Sequence, residues 1–262
     1  MLEGKTVVIT GGAGFIGGRL AETLVGENEV RVVDNLSSGK REYVPDDAEL
    51  HVLDVVEDTE ELVGAVGEAD IVFHLAAEPD VRAGIDDTEV HLRQNTVATN
   101  NVLDAARRAD VDAFAFTSTS TVYGEAPTPT PETYGPMEPI SLYGASKLAC
   151  EGLCTAYDGT FGIDSWVFRF ANVVGRRGHG VVPDFVDKLR DDPERLEILG
   201  DGRQRKSYFH VSDCVEAMVH AVENARAGIY NIGTRDTISV TKIAEIVSDE
   251  MELDPEFDYT GG

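Results

Sequence analysis

Positive charge is what this chain has least of. Asp and Glu total 48 against 22 Lys and Arg, giving a net charge of −26 at pH 7. Lysine stands only at Lys5, Lys40, Lys147, Lys188, Lys206 and Lys242. So acidic a surface repels nucleic acid and anionic membranes, and neither is expected as a partner. The acids are scattered, as at Asp46-Asp47, Glu60-Glu61, Asp86-Asp87 and Asp191-Asp192, rather than gathered in a tail. Concentrated salt relieves self-repulsion of this size, so a salt-adapted, halophilic cytoplasm is expected. Cysteine is scarce too. Three thiols make neither a disulfide framework nor a zinc site, and no metal is expected. Cys150 and Cys154 sit one helical turn apart, where packing is the usual role. No apolar run of about 18 residues occurs, which argues against a membrane-spanning helix. The N-terminus leads directly into a strand pattern, so no signal peptide and a cytoplasmic location are expected. Internal repeats and stripes of Met or aromatic residues are absent as well.

What is present centres on Thr6 to Asp34, TVVITGGAGFIGGRLAETLVGENEVRVVD. Val7-Val8-Ile9 is a β-branched run suited to a strand buried on both faces. Gly11, Gly14 and Gly17 follow at G-x-x-G-x-x-G spacing, then a helical pattern through Leu20, Leu24 and Val25. A second run, Val30 to Val33, ends on Asp34. Glycine permits a tight turn out of the strand and a close approach of backbone to a pyrophosphate. The helix then aims unpaired N–H groups and its positive dipole end at the phosphates. Asp34 is placed to accept both ribose hydroxyls of an adenosine, and it would repel a 2′-phosphate. Strand, glycines, helix, strand and acid together predict dinucleotide binding.

The rest of the chain extends an α/β pattern. Asn35 to Gly39, with Ser38, forms a polar turn beside the expected adenosine. Leu50 to Leu53 reads as a short strand ending at Asp54, whose carboxylate either holds the adenine amino group or caps a helix. Ile71 to Leu75 is another buried strand, and small Ala76 and Ala77 leave room for a cofactor. His74 reads as a packed core histidine. Glu89 to Arg108 is expected to be one long helix. Asn95 inside it is a poor helix former, so it should bond something specific, such as a neighbouring loop.

Ala113 to Phe116 predicts a strand running into the hydroxyl-rich Thr117 to Thr121, at a strand's carboxyl end where open α/β sheets bind ligands. Ala126 to Pro139 is rich in proline and reads as a loop over that site. Tyr143 and Lys147 open the next helix, expected through Tyr157, and share one of its faces. The ammonium is expected to stabilise a tyrosinate and lower its pKa from about 10 toward working pH, making Tyr143 a general base. Ser165 to Phe170 is the last strong strand. Beyond it come loops, short helices and short strands at Glu197–Leu199, Tyr208–Val211 and Ile229–Ile232, with helices at Asp213–Glu223 and Val240–Glu250. Arg203, Arg205 and Lys206 form a cationic cluster, either a solvated face or a clamp for substrate phosphate.

The ordered set GGAGFIG, DNLSSG, HLAA, TSTSTVYG, YGASK, RFANVVG and GDGRQRKSYFHVSD resembles the extended short-chain dehydrogenase/reductases. More narrowly, it resembles their nucleotide-sugar epimerase/dehydratase family, with UDP-glucose 4-epimerase activity nearest. The resemblance covers essentially the whole chain. It implies a Rossmann-like doubly wound parallel sheet over residues 1–170 that holds NAD. A smaller nucleotide-sugar-binding region over 171–262 would partly return to the main sheet. By position it assigns the glycines, Phe15, Ile16 and Asp34 to NAD, with Asn35, Ser38, Gly39, Asp54 and Val55 toward the adenosine end. Leu75, Ala76, Ala77, Asn95 and Thr117 are also assigned to the cofactor, and Lys147 to the nicotinamide ribose. Thr119 matches the family's active-site Ser/Thr, and Tyr143 its catalytic tyrosine. Ser120, Asn172, Val182 and Lys206 match substrate contacts, Lys206 standing where many relatives have a diphosphate-binding arginine. Homodimerisation through the helices at 89–108 and 142–157 is implied. Family 4,6-dehydratases carry Asp-Glu after the Thr, where Ser120 and Thr121 stand here, which argues against dehydration. The chain ends at Tyr259-Thr-Gly-Gly262, where relatives continue, so part of the sugar-binding region is expected to be absent.

Overall fold

A computed structural model describes residues 2–178 and 180–261. The elements in order are β1 (Thr6–Thr10), α1 (Phe15–Leu24), β2 (Glu29–Val33), β3 (Glu49–His51), α2 (Thr59–Val66), β4 (Ile71–His74) and a one-turn α3 (Ala83–Asp86). After them come α4 (Ala98–Arg108), β5 (Ala113–Thr119), α5 (Leu142–Phe161), β6 (Asp164–Phe170), β7 (Asn172–Val174) and α6 (Val181–Asp191). The chain closes with β8 (Arg195–Ile198), β9 (Arg205–Lys206), β10 (Tyr208–His210), α7 (Val211–Asn224), β11 (Gly228–Ile232), β12 (Ile238–Ser239), α8 (Val240–Glu250) and β13 (Glu256–Tyr259).

Two compact units form. The first comprises residues up to Phe170 together with Ser212–Ile232. It carries a seven-stranded parallel sheet in the order β11-β6-β5-β4-β1-β2-β3. The order reverses between β1 and β4, which is where doubly wound sheets open a crevice for a ligand. Side chains alternate across the sheet. Val8, Val33, Val72, Phe114, Phe116 and Val167 therefore share a core with Leu62 and Val66 of α2, Val102 and Leu103 of α4, and Cys150 and Cys154 of α5. Both thiols are buried and free, in packing positions. Val7 and Ile9, of the other parity, are fully buried as well, and α1 packs along β1 and β2. The second unit, Ala171–Val211 with residues from Gly233 on, has its own core. Phe185 and Leu189 of α6 meet Leu196 and Ile198 of β8 and Ile243 and Val247 of α8 there.

Three expectations need correction. The helix expected over Glu89–Arg108 has a π-helical stretch at Leu92–Val97, where the Ala98 N–H reaches back to the Arg93 carbonyl. The wider turn carries Asn95, and such single-turn bulges collect at functional sites. The strand expected at Leu50–Leu53 forms instead over Glu49–His51, because the Asp54 carboxylate accepts the Val56 N–H and turns the chain early. In the region read as loops and short helices, α6 runs for 11 residues, held by its apolar face on the second core. Among the described residues no helix is long and apolar enough to cross a membrane.

His74 is a buried cross-link. Its ring bonds the Thr10 hydroxyl at 2.6 Å and the Thr99 hydroxyl at 3.0 Å. Desolvation, with Lys147 adding repulsion, lowers its pKa from 6.5 to about 3. Folding therefore favours the neutral ring. The resulting stability is fully present above pH 6.5 and is lost as pH falls toward 3, because only the unfolded chain takes up the proton. Comparing unfolding free energies of wild type and His74→Gln should expose this slope, about 1.4 kcal/mol per pH unit steeper in wild type below that point. Parallel acid limbs for the two proteins would refute it.

Candidate active site

The first unit's site residues gather at the carboxyl ends of β1, β2, β4 and β5. At the end of β1, Gly11 has φ +71° and its N–H bonds the Val33 carbonyl. A Cβ there would lie 2.6 Å from the Ala76 backbone nitrogen, so glycine is what lets the β1 and β4 turns touch. A Cβ on Gly17 would run into the Gly11 carbonyl, which brings α1 tight under the turn. Gly14 is the N-cap of α1, and no side chain caps that end, leaving the first N–H groups, beginning at Phe15 and Ile16, for an anion. Asp34 is buried with Oδ2 accepting the Ala13 N–H at 2.9 Å and Oδ1 the Leu36 N–H at 2.8 Å. A Cβ at Gly39 would come 2.9 Å from Asp34 Oδ1, while Asn35 and Ser38 stay exposed beside it. This is a cradle shaped for a dinucleotide: bare N–H groups, glycine clearances and one anchored carboxylate.

At the adenosine end, Asn35 donates to the Asp54 carboxylate at 2.9 Å. Burial opposes ionisation of Asp54, but the bonds from Asn35 and Val56 outweigh it and hold the carboxyl below its ordinary range. Val55 puts its side chain into the core and its carbonyl on Asn101. Leu75, Ala76 and Ala77 follow β4 as a partly exposed turn. Asn95 makes the specific bond to a neighbouring loop expected of an asparagine inside a helix. It is almost wholly buried, its Oδ1 accepts the Glu78 N–H at 2.8 Å, and its amide donates to Ser146 Oγ at 3.0 Å. Its polar atoms are thus spent on tying the turn after β4 to α5.

At the centre, β5 runs through Thr119 rather than stopping at Phe116, because Thr117, Ser118 and Thr119 pair with Phe168, Arg169 and Phe170 of β6. Thr119 Oγ1 accepts both the N–H and the hydroxyl of Thr121, each at 3.2 Å, and caps the turn Ser120–Tyr123. With its acceptor capacity used, Thr119 keeps its own proton to donate, and its interaction with the Tyr143 phenol works against a rise in the phenol's pKa. Ser141 caps α5 through the Gly144 N–H, and Tyr143 stands in its first turn with His91 edge-on at 5.6 Å. Lys147, 3% exposed, donates to the Thr117 carbonyl at 3.0 Å and lies 4.8 Å over the Phe116 ring.

The expected acidification of Tyr143 by Lys147 is not what this geometry yields. Desolvation dominates and, despite the Thr119 bond, pushes the phenol up to about 12. The ammonium is directed at Thr117 and Phe116, and its own burial lowers its pKa. In the second unit, Asn172 lies on β7 with its amide on the Ser207 carbonyl at 3.0 Å. Val182 is partly buried on α6 against that unit's core, and Lys206 is exposed on β9. Sequence reading missed Glu151, at the same spacing beyond Lys147 as Lys147 lies beyond Tyr143, with Ser118 and Arg169 bonded to it; that repeated spacing was the available signal.

Comparison with known proteins agrees with this geometry. The profile of the NAD dependent epimerase/dehydratase family matches residues 7–233. A UDP-glucose 4-epimerase of Corynebacterium glutamicum is 32% identical over 260 residues, covering 92% of this chain and 78% of that protein. A crystal structure of a UDP-galactose 4-epimerase superposes with a TM-score of 0.90 at 46% identity, covering 98% of this chain and 86% of the other. The Thermus thermophilus UDP-glucose 4-epimerase in complex with NAD gives 0.88 at 33% identity, over 97% and 85%. Decarboxylases of UDP-sugars also occur among the relatives. The reversing parallel sheet is thus a fold shared with these structures, and the chain is a member of the NAD-dependent epimerase/dehydratase family.

Proposed function

We propose that the protein interconverts the C4 epimers of a nucleotide hexose, of UDP-glucose/UDP-galactose type, through a 4-keto sugar. The observation that carries this reading is Thr119 at the end of β5 interacting with Tyr143 in the first turn of α5, in a unit that also carries a dinucleotide cradle. Bound NAD would be held by the α1 N-terminus, Asp34 and the turns at Gly11 and Ala76, and it supplies a reversible hydride acceptor. Tyr143 takes the proton of the sugar's 4-hydroxyl and later returns it. Thr119 donates to the same oxygen, orienting it for that transfer. Lys147 fixes the wall behind them, its ammonium held on the Thr117 carbonyl. Both Tyr143 and Thr119 must act again on the opposite epimer, which suits a phenol that gives back the proton it took.

Dehydration finds less support. The two residues after Thr119 are exposed Ser120 and partly buried Thr121, the latter's N–H and hydroxyl being used in capping, so no carboxylic acid stands in that turn. Asn172, Val182 and Lys206 carry over from the resemblance as substrate contacts. Pairing of two copies through the π-containing α4 helix and α5, and life in a salt-rich cytoplasm, belong to the same proposal. The test is incubation with UDP-galactose in molar KCl, with and without added NAD, following UDP-glucose. Conversion without net NADH is expected. Stoichiometric NADH, or release of a decarboxylated or dehydrated product from another UDP-sugar, would replace the epimerase reading.

A further inference from the structure

Beneath Thr119 and Tyr143 lies a buried polar network that the proposed chemistry does not use. Ser118 of β5, Arg169 of β6 and Asn231 of β11 are register partners across three adjacent strands, so they lie in one row on one face. Glu151 reaches this row from α5. Tyr143, Lys147 and Glu151 follow each other at intervals of four and form one stripe of that helix. The Glu151 carboxylate accepts the Ser118 hydroxyl at 2.5 Å and Arg169 Nη2 at 2.6 Å. The side chains are 4% and 1% exposed, so the pair is fully desolvated.

The remaining guanidinium face points to the loop after β5. Arg169 Nη1 donates to the Tyr123 hydroxyl at 2.8 Å and to the Glu132 carbonyl at 3.2 Å. Tyr123 passes a bond to Asn231 Oδ1 at 2.7 Å, and the Asn231 amide donates to the Thr130 carbonyl at 2.9 Å. Residues 125–140, which contain no helix or strand, are thereby pinned to the sheet. Their far end presses on the start of α5. A Cβ at Gly144 would lie 2.9 Å from the Thr121 carbonyl and 3.0 Å from Pro139 Cβ.

We propose that Glu151 and Arg169 are positioning residues for the Thr119/Tyr143/Lys147 site. The pair sets the register of α5 on β5 and anchors a strap whose end fixes the first turn of α5 beside Tyr143. The physical case is one of charge rather than volume. A buried ion pair is a poor source of net stability, since well-packed apolar residues often replace it without loss. Its geometric demands, however, are strict, with a carboxylate and a planar fork each holding several partners in place.

That contrast supplies the test. The double variant Glu151→Leu/Arg169→Met keeps similar volume and is expected to fold with an unchanged or higher Tm. Its epimerase kcat should nevertheless fall by about 100-fold with KM within a few-fold, as expected for a misplaced reacting group. Amide hydrogen exchange over residues 130–137 should accelerate by roughly tenfold, because the strap has lost its anchor. Should the double variant not fold, Arg169→Lys serves instead, keeping a charge for Glu151 while losing the fork that reaches Tyr123 and Glu132. Turnover within twofold of wild type, or unaltered exchange in the strap, would overturn the proposal. The turnover part rests on the epimerase reading. If wild type converts no UDP-hexose, that reading fails by itself, and exchange decides between anchor and bystander.

Discussion

Replacing Tyr143 by Phe should lower the proposed interconversion of UDP-galactose and UDP-glucose by about a thousandfold, within the range ascribed to a positioned general acid–base. The substitution removes only the hydroxyl. The ring keeps its edge contact with His91, Ser141 still caps α5, and the glycine cradle is untouched. NAD affinity and Tm should therefore match wild type while kcat collapses. Thr119 loses that partner, but the two bonds it accepts from Thr121 still hold its side chain in place. A second signature follows from the phenol's pKa. Because desolvation raises it from 10 to about 12 in the chain alone, the protonated form is favoured by folding. That stability is complete below pH 10 and is lost as pH rises toward 12, once the unfolded chain ionises and the folded one does not. The Phe variant lacks this alkaline loss. Its kcat should also lack the rise with pH that marks an ionising base. A Phe variant that turns over at wild-type rate would remove Tyr143 from the chemistry.

Lowering the salt should have the second-largest effect. Between about 3 M and 0.1 M KCl we expect Tm to fall by on the order of 10 °C, since a chain of this size loses about 2–4 °C per kcal/mol. With a net charge of −26, the folded protein concentrates like charges that the unfolded chain can spread apart. At about 1 M salt the screening length is near 3 Å, and at 0.1 M it is near 10 Å, long enough to join neighbouring exposed acids. Asp46, Asp47, Asp86, Asp87, Asp191 and Asp192 are all exposed. Local ion pairs do not remove the effect. Lys5 with Asp70 and Lys242 with Glu245 are exposed, and such pairs contribute little each. Thermal unfolding across a KCl series, repeated on an Asp46→Asn/Asp47→Asn/Asp191→Asn/Asp192→Asn variant, provides the measurement. The variant should need less salt for the same Tm. A wild-type optimum in dilute buffer would end the salt-adaptation proposal.

By itself the sequence determined the class of fold and the dinucleotide cradle, and it supplied the residues proposed for the chemistry. Its signals there are local. A β-branched run, glycines at fixed offsets, an acid at the next strand end and a Tyr–Lys pair at helical spacing each act within one or two elements. Tertiary structure decided what depends on residues far apart in the chain. That Thr117 to Thr119 continue β5 follows from pairing with Phe168 to Phe170, which no local propensity announces. Which partners Asn95 takes was decided by Glu78 and Ser146, 17 and 51 positions away. The Tyr143 phenol rises rather than falls because burial is a property of the assembled site, and because Lys147 is drawn to a carbonyl on another strand. The Glu151–Arg169 pair was hidden for the same reason, since a row of side chains across three strands exists only once the strands are in register. Short-range geometry is written in residue spacing; desolvation and cross-strand partners are set by which distant segments come to lie side by side.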